Sequence, residues 1–109
     1  GIGPGDEVIT TPMTFCSTAN VALHLGARPI FCDIDPQTGL IDPAGIEPLI
    51  TDKTRAILPV HYGGQPCDLK EIYAIADKNG LVVIEDAAHA AGAFYHGEPI
   101  GNCRDAAAC

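Results

Sequence analysis

The stretch Asp68–Asp86, DLKEIYAIADKNGLVVIED, contains the clearest helix and the clearest strand of this sequence. Asp68 is predicted to cap the helix, and Asn79-Gly80 to end it. The apolar residues between these two ends recur at helical spacing and predict a buried stripe of Leu69, Ile72, Tyr73, Ile75 and Ala76. The continuous apolar run Leu81–Glu85 then predicts a strand that is covered on both faces, as in a parallel sheet. A helix that leads into such a strand is the repeating unit of α/β folds.

The same unit recurs along the chain, because strand-like apolar segments return about every 25 residues with helix-like segments between them. The predicted strands are Glu7–Thr11, Pro29–Asp33, Arg55–Val60 and Leu81–Glu85, with a fifth that begins at Asp105. The other predicted helices are Ser17–Leu25, capped by Ser17 or Thr18, and Asp42–Ile50, capped by Asp42 and shortened by Pro48. This alternation predicts one domain over residues 1–109, a parallel-stranded α/β/α sandwich with right-handed crossovers.

The composition is that of a globular protein, with 47% hydrophobic and 18% charged residues. A formal net charge of −8 argues against nucleic acid or an anionic membrane surface as the partner. No apolar run approaches the roughly 20 residues of a membrane helix, and no signal-peptide pattern is visible. Five cysteines without CxxC spacing indicate reduced, mostly buried thiols and a cytoplasmic location. The missing initial methionine and the apolar final residues suggest an internal fragment of a longer protein.

In an open parallel sheet, ligands bind beyond the carboxyl ends of the strands, so the residues that follow each strand are the candidate site. Asp86 comes directly after a buried strand and before two small alanines. A carboxylate there needs a cationic partner, and the protonated ring nitrogen of a cofactor would be one. His89 would then reach a neighbouring oxygen of the same ring. The alternative is that Asp86 caps the following turn and His89 is a surface residue.

Phe15 lies at the mouth of the first strand, where its ring is suited either to cover a planar ligand or to pack in the core. The hydroxyls of Thr14, Ser17 and Thr18 are candidates to donate to a ligand, although helix capping explains them equally well.

Three further features carry no functional assignment. His61 is interpreted as a loop histidine beside two glycines. A metal site built from His61, Cys67, His89 and Cys103 matches no zinc spacing, so no metal is expected. Gly1-x-Gly3-x-Gly5 precedes a strand, whereas a dinucleotide-binding glycine loop follows one.

The chain resembles the DegT/DnrJ/EryC1/StrS family of pyridoxal-phosphate (PLP) aminotransferases, which act mainly on nucleotide-linked keto-sugars. The most specific stretches of the resemblance are VIEDAAHAAG at Val83–Gly92 and ILPVHYGGQPCD at Ile57–Asp68. It continues through GPGDEVITTPMTF, GARPIFCDID and GEPIGNCRDAA at Gly3–Phe15, Gly26–Asp35 and Gly97–Ala107.

The resemblance implies that the chain is part of the large domain of a fold-type I PLP-dependent transferase. It implies that Asp86 pairs with the PLP pyridine nitrogen, that His89 lies near the phenolic oxygen of the ring, and that Phe15 stacks on the ring. Thr14 is expected to line the same site. The implied partners are a nucleotide-sugar substrate, an amino-acid donor and a second subunit of a homodimer.

Parts of the family pattern fall outside the sequence. The Schiff-base lysine is expected beyond Cys109 and the phosphate-binding segment before Gly1, and the small domain is also absent. Lys53, Lys70 and Lys78 do not fit the position of the Schiff-base lysine, so this piece is expected to be inactive alone. Two alternatives are open for the parent: a PLP-dependent sugar dehydratase on the same fold, and a non-catalytic PLP-like binding or regulatory module.

Overall fold

The computed structural model describes residues 1–102 and 104–108, and its centre is a sheet of five parallel strands. The strands are β1, Glu7–Thr10, β2, Arg28–Phe31, β3, Thr54–Leu58, β4, Val82–Asp86, and β7, Ala106–Ala108. They lie side by side in the order β2-β1-β3-β4-β7. The predicted parallel sheet, including the fifth strand after Asp105, is confirmed.

Helices cover both faces of this sheet. The helix α1, Ser17–His24, packs on the face formed by Val8, Ala56, Leu58 and Ile84. The helices α2, Pro43–Ile46, and α3, Leu69–Asn79, pack on the opposite face over Ile9, Ile57 and Val83. Successive residues of a strand point to opposite faces, which explains why these two apolar clusters use alternate residues of β1, β3 and β4. The predicted α/β/α sandwich is confirmed.

Two of the three predicted helix caps are confirmed and one is wrong. The Asp42 side chain accepts a hydrogen bond from the Ala44 N–H at 3.0 Å, and the Asp68 side chain accepts one from the Glu71 N–H at 3.5 Å. At α1 the cap residue is Cys16 rather than Ser17 or Thr18, and no side chain caps the helix. Thr18 lies inside the first turn instead, where its hydroxyl is used for a longer-range contact.

The predicted helix Asp42–Ile50 is divided. Four α-helical residues are followed by a short 3-10 turn, Glu47–Leu49, with Pro48 inside it. Because proline has no N–H and clashes with the preceding turn, it ends regular helix here, as predicted.

The strand β2 departs from the prediction of strands covered on both faces. It forms one edge of the sheet, and Arg28 and Phe31 are exposed. Pro29 within this strand suits an edge, where the missing N–H costs no ladder hydrogen bond. The structure also contains a hairpin that was not predicted, formed by β5, Phe94–Tyr95, and β6, Glu98–Pro99.

The structure also locates three of the five cysteines and shows the length of each described helix. Cys32 and Cys67 are buried and Cys16 is exposed, while Cys103 and Cys109 lie outside the described residues. Among residues 1–102 and 104–108, no helix combines the length and the apolar character needed to cross a bilayer.

Candidate functional site

The carboxyl end of β4 carries two adjacent carboxylates that point to opposite faces of the sheet. Glu85 is buried on the side of α3, and Asp86 is half-buried on the side of α1. The backbone of Asp86 is fixed on both sides, because its N–H donates to the Pro59 carbonyl at 2.9 Å and its carbonyl accepts from the His61 N–H at 3.0 Å. Asp86 therefore has a rigid main chain from which to present its carboxylate.

Both oxygens of the Asp86 carboxylate accept hydrogen bonds from the chain. Oδ2 accepts from the Thr18 hydroxyl at 2.9 Å, and Oδ1 accepts from the Ala88 N–H at 3.1 Å. The second contact is the turn-capping bond of the alternative interpretation. No lysine, arginine or histidine in the described part of the chain forms an ion pair with Asp86. A carboxylate has about four acceptor positions, so two remain for a ligand.

Thr14, Thr18 and the Asp86 carboxylate are joined by two consecutive hydrogen bonds. Their hydroxyl oxygens are 2.7 Å apart, and Thr18 is buried with 4% exposure. An ionised carboxylate only accepts, so the single hydroxyl proton of Thr18 goes to Asp86 and Thr14 must donate to Thr18. In this arrangement both hydroxyl protons are used within the chain, so Thr14 and Thr18 would meet a ligand only as acceptors.

Thr18 is the residue of this cluster that sequence reasoning left unassigned. It is 68 positions from Asp86 in the chain, and only the strand order brings the start of α1 to the end of β4. The sequence showed only that a threonine hydroxyl follows the first predicted strand. Helix capping explained this hydroxyl as well as a contact with a ligand did.

His89 lies on the loop after β4, in contact with the turn after β3. Its Nδ1 accepts the Gly63 N–H at 3.3 Å, and its ring meets the Tyr62 ring edge-on with centroids 5.6 Å apart. Because Nδ1 acts as the acceptor, a neutral His89 carries its proton on Nε2. The His89 side chain as a whole is exposed.

Phe15 is 72% exposed at the start of α1. The alternative of a core-packing residue is therefore wrong, because a core phenylalanine would be almost completely buried. The Phe15 carbonyl accepts the Thr18 N–H at 3.1 Å, which links the position of Phe15 to the first turn of α1. Phe15, Thr14 and Asp86 are thus connected through one residue, Thr18.

His61 lies on the loop after β3, as interpreted, but its side chain is fully buried. Its Nδ1 accepts the Cys67 N–H at 3.0 Å, which places the proton of a neutral ring on Nε2. That nitrogen is 3.1 Å from Glu85 Oε2, and the Tyr73 hydroxyl donates to Glu85 Oε1 at 2.8 Å. Burial, with the Glu85 charge as a second cause, raises the pKa of the Cys67 thiol to about 12.

An apolar cavity of about 390 Å³ opens between α1 and the sheet, and Asp86 lies on its wall. Its other lining residues include Ser17, Thr18 and Ala88 near Asp86, and Ile2, Val8, Val21, Leu25, Leu58 and Ile84 further away. Within residues 1–102 and 104–108, no three His, Cys, Asp or Glu side chains gather as metal ligands would.

Comparison with known proteins gives close matches over almost the whole chain. The chain is 55% identical over 108 residues to the spore coat polysaccharide biosynthesis protein SpsC of Bacillus subtilis, which covers 99% of this chain and 28% of that protein. It is 54% identical over 101 residues to the UDP-4-amino-4-deoxy-L-arabinose–oxoglutarate aminotransferase of Shewanella sediminis, with coverage of 93% and 26%. The chain therefore spans less than a third of the length of these relatives.

A solved structure extends the match to the fold. NtdA from Bacillus subtilis, crystallised with the cofactor PMP, superposes with a TM-score of 0.78 at 45% identity, over 86% of this chain and 21% of that one. The fold is that of the large domain of fold-type I PLP-dependent transferases, as the resemblance implied. The model of one family matches residues 1–109 in full, and the chain belongs to that family, the DegT/DnrJ/EryC1/StrS aminotransferases.

Proposed function

We propose that the protein containing this chain is a PLP-dependent aminotransferase that moves an amino group from an amino-acid donor to a nucleotide-linked keto-sugar. The chain would supply the residues that contact the pyridine ring of the cofactor. One observation carries this proposal: the Asp86 carboxylate is held rigidly at the end of β4, beside an open cavity, without a cationic partner in the described part of the chain.

The residues around Asp86 fit the protonated pyridine ring of PLP. A half-buried carboxylate that keeps two acceptor positions is suited to a short charge-assisted hydrogen bond from a pyridinium N–H. When bound, PLP supplies an electron sink that stabilises negative charge on the carbon next to the transferred nitrogen. The part of Asp86 would be to hold a positive charge on the ring nitrogen.

The other candidate residues would orient the ring. The exposed Phe15 side chain offers a flat apolar surface for one face of the ring. His89 would donate its Nε2–H to the phenolic oxygen, because its Nδ1 is already used as an acceptor from Gly63. Thr14 would line the site as an acceptor, since its own proton goes to Thr18.

The lysine that would anchor the cofactor is proposed to come from another part of the protein. Lys70 and Lys78 lie on α3, on the face of the sheet opposite to Asp86, and Lys78 pairs with Glu47. Lys53 precedes β3 and lies at the amino ends of the strands. None of the three is near the carboxyl end of β4, so this chain alone is proposed to be inactive.

We also propose the wider setting that the family resemblance implies. The complete protein would be a homodimer in the cytoplasm, where buried free thiols such as Cys32 and Cys67 remain reduced. Its product would enter the synthesis of polysaccharides or of other amino-sugar compounds, as the name of the Bacillus subtilis relative suggests for that protein.

The test is Asp86→Asn in the complete protein, assayed with glutamate and a panel of UDP- and dTDP-linked 4-keto-sugars. Wild-type protein is expected to form 2-oxoglutarate and amino-sugar in equal amounts. The variant is expected to lose about 100-fold or more in turnover, because an amide cannot hold the ring nitrogen protonated and a charge-assisted bond of roughly 3 kcal/mol is lost.

The matched control is Asp33→Asn, which removes an exposed carboxylate that follows β2 at the same edge of the sheet. This variant should keep wild-type turnover. Undiminished turnover in Asp86→Asn, or 2-oxoglutarate formed without an aminated sugar, contradicts the proposal.

A further inference from the structure

We infer that Thr18 is a positioning residue that fixes the orientation of the Asp86 carboxylate. This inference rests on the proposed function, because Asp86 acts on a ring nitrogen only if that function is correct. It assigns to Thr18 a part that helix capping does not explain, since the Thr18 hydroxyl caps nothing in α1.

The geometry assigns one direction to the chain of hydroxyls. Thr18 Oγ1 lies 2.9 Å from Asp86 Oδ2 and 2.7 Å from Thr14 Oγ1. If Thr18 donated to Thr14, the buried Thr18 oxygen and the carboxylate would face each other as two acceptors without a proton between them. The order Thr14 to Thr18 to Asp86 therefore satisfies each group and leaves the Asp86 carboxylate as the final acceptor.

Two donors on two different oxygens fix the plane of the carboxylate. The Ala88 N–H holds Oδ1 at 3.1 Å, and the Thr18 hydroxyl holds Oδ2. With Ala88 alone the carboxylate could rotate about its last bond, because the torsion at the end of an aspartate is broad. Thr18 removes this freedom, and so it aligns the remaining acceptor positions before any ligand binds.

Burial increases the effect of this single bond. Thr18 is 4% exposed, so water cannot easily replace its hydroxyl if it is removed. A hydrogen bond to a charged group in such a place stabilises the charged form more than a bond at the surface does. The aligned carboxylate would in turn hold the proton on the ring nitrogen opposite to it.

The test compares Thr18→Val with Thr18→Ser in the complete protein. Valine keeps the shape of threonine but has no hydroxyl, whereas serine keeps the hydroxyl. The matched control is Thr54→Val, at the amino end of β3, where the hydroxyl of another buried threonine accepts one short-range hydrogen bond from the Thr51 N–H. Melting temperatures of all variants measure the purely structural cost.

The decisive readout is the protonation of the ring nitrogen, followed by ¹⁵N NMR of protein reconstituted with ¹⁵N-labelled PLP. In Thr18→Val the nitrogen should lose its proton about one pH unit lower than in wild type, as expected if the freely rotating carboxylate is aligned with the nitrogen only about a tenth of the time. The affinity for PMP alone, measured by calorimetry, should fall about 10-fold. Thr18→Ser and Thr54→Val should match wild type in both measurements.

Unchanged ¹⁵N titration and PMP affinity in Thr18→Val overturn the inference while Asp86→Asn still tests the proposed function separately. If Thr18→Val does not fold, Thr18→Cys replaces it, because a thiol is close in size to the serine hydroxyl of the rescue variant but is a weak donor. Equal titrations of Thr18→Cys and Thr18→Ser then overturn the inference.

Discussion

His61 and Glu85 are buried side by side, with exposed fractions of 0% and 1%. A buried carboxylate is tolerated only when donors surround it, and here the Tyr73 hydroxyl and the His61 Nε2–H provide them. His61 also donates its backbone N–H to the Asp86 carbonyl at 3.0 Å. One residue therefore supports both carboxylates at the end of β4, one through its side chain and the other through its backbone.

We expect His61→Ala to lower the free energy of unfolding by roughly 3 kcal/mol, because it leaves the buried Glu85 charge with one donor fewer. Urea denaturation of the complete protein measures the change. His24→Ala, which alters an exposed histidine of α1, is the control and should change the value by less than about 0.5 kcal/mol. A loss no larger than that of the control would mean that Glu85 is satisfied without His61.

At the scale of elements, the turn Tyr62–Gly64 after β3 supports the loop that carries His89. Gly63 and Gly64 both have positive φ, 63° and 84°, which residues with a side chain adopt only at a cost. A Cβ on Gly64 would come within 3.1 Å of the His89 carbonyl oxygen, whereas one on Gly63 would meet nothing within 4 Å. The two glycines thus share a conformational requirement, and only Gly64 adds a steric one.

Gly64→Ala is therefore expected to lower the melting temperature more than Gly63→Ala does, and to displace His89. In both variants an alanine in the left-handed conformation costs about 1 kcal/mol of stability. Any larger loss in Gly64→Ala measures the steric contact with the His89 carbonyl. Thermal unfolding of both variants gives this difference. Equal losses would show that the His89 loop moves aside without resistance.

The elements also differ in how far the sequence could predict them. Asp68 and Gly80 bound α3 as expected, because caps and stop signals act locally on the backbone. The hairpin Phe94–Pro99 was missed, since its strands have two residues each and its turn, His96-Gly97, lacks the usual Asn-Gly signal. The burial of His61 and the contact between Thr18 and Asp86 depend on strand order, which no local pattern contains.

At the scale of the whole molecule, α1 and its C-cap expose apolar side chains at the open cavity beside the sheet. Val21 and Leu25 are 47% and 50% exposed, and both line the cavity next to the sheet. An apolar surface of this kind on a soluble protein usually meets another protein surface. Because the chain spans 28% of the length of its relative SpsC, the rest of the parent protein is the expected cover.

If so, Val21→Asp should destabilise the complete protein by about 2 kcal/mol, since it would bury an unpaired charge at this contact. Asn20→Asp adds the same charge one residue away, at an exposed position of the same helix, and should be nearly neutral. Urea denaturation of the two variants measures the difference. Equal stability of the two variants would indicate that the α1 surface stays open to solvent in the complete protein.

Glu85 and Asp86 point to opposite faces of the sheet, so the number of residues in β4 decides which of the two acids faces α1. Deleting one residue from the strand would turn Glu85 to the side of α1 and place Asp86 among the apolar side chains beneath α3. Removing two residues would preserve this alternation and only shorten the strand. Changes of even length are therefore structurally admissible in β4, whereas changes of odd length exchange Asp86, the proposed cofactor ligand, for the core residue Glu85.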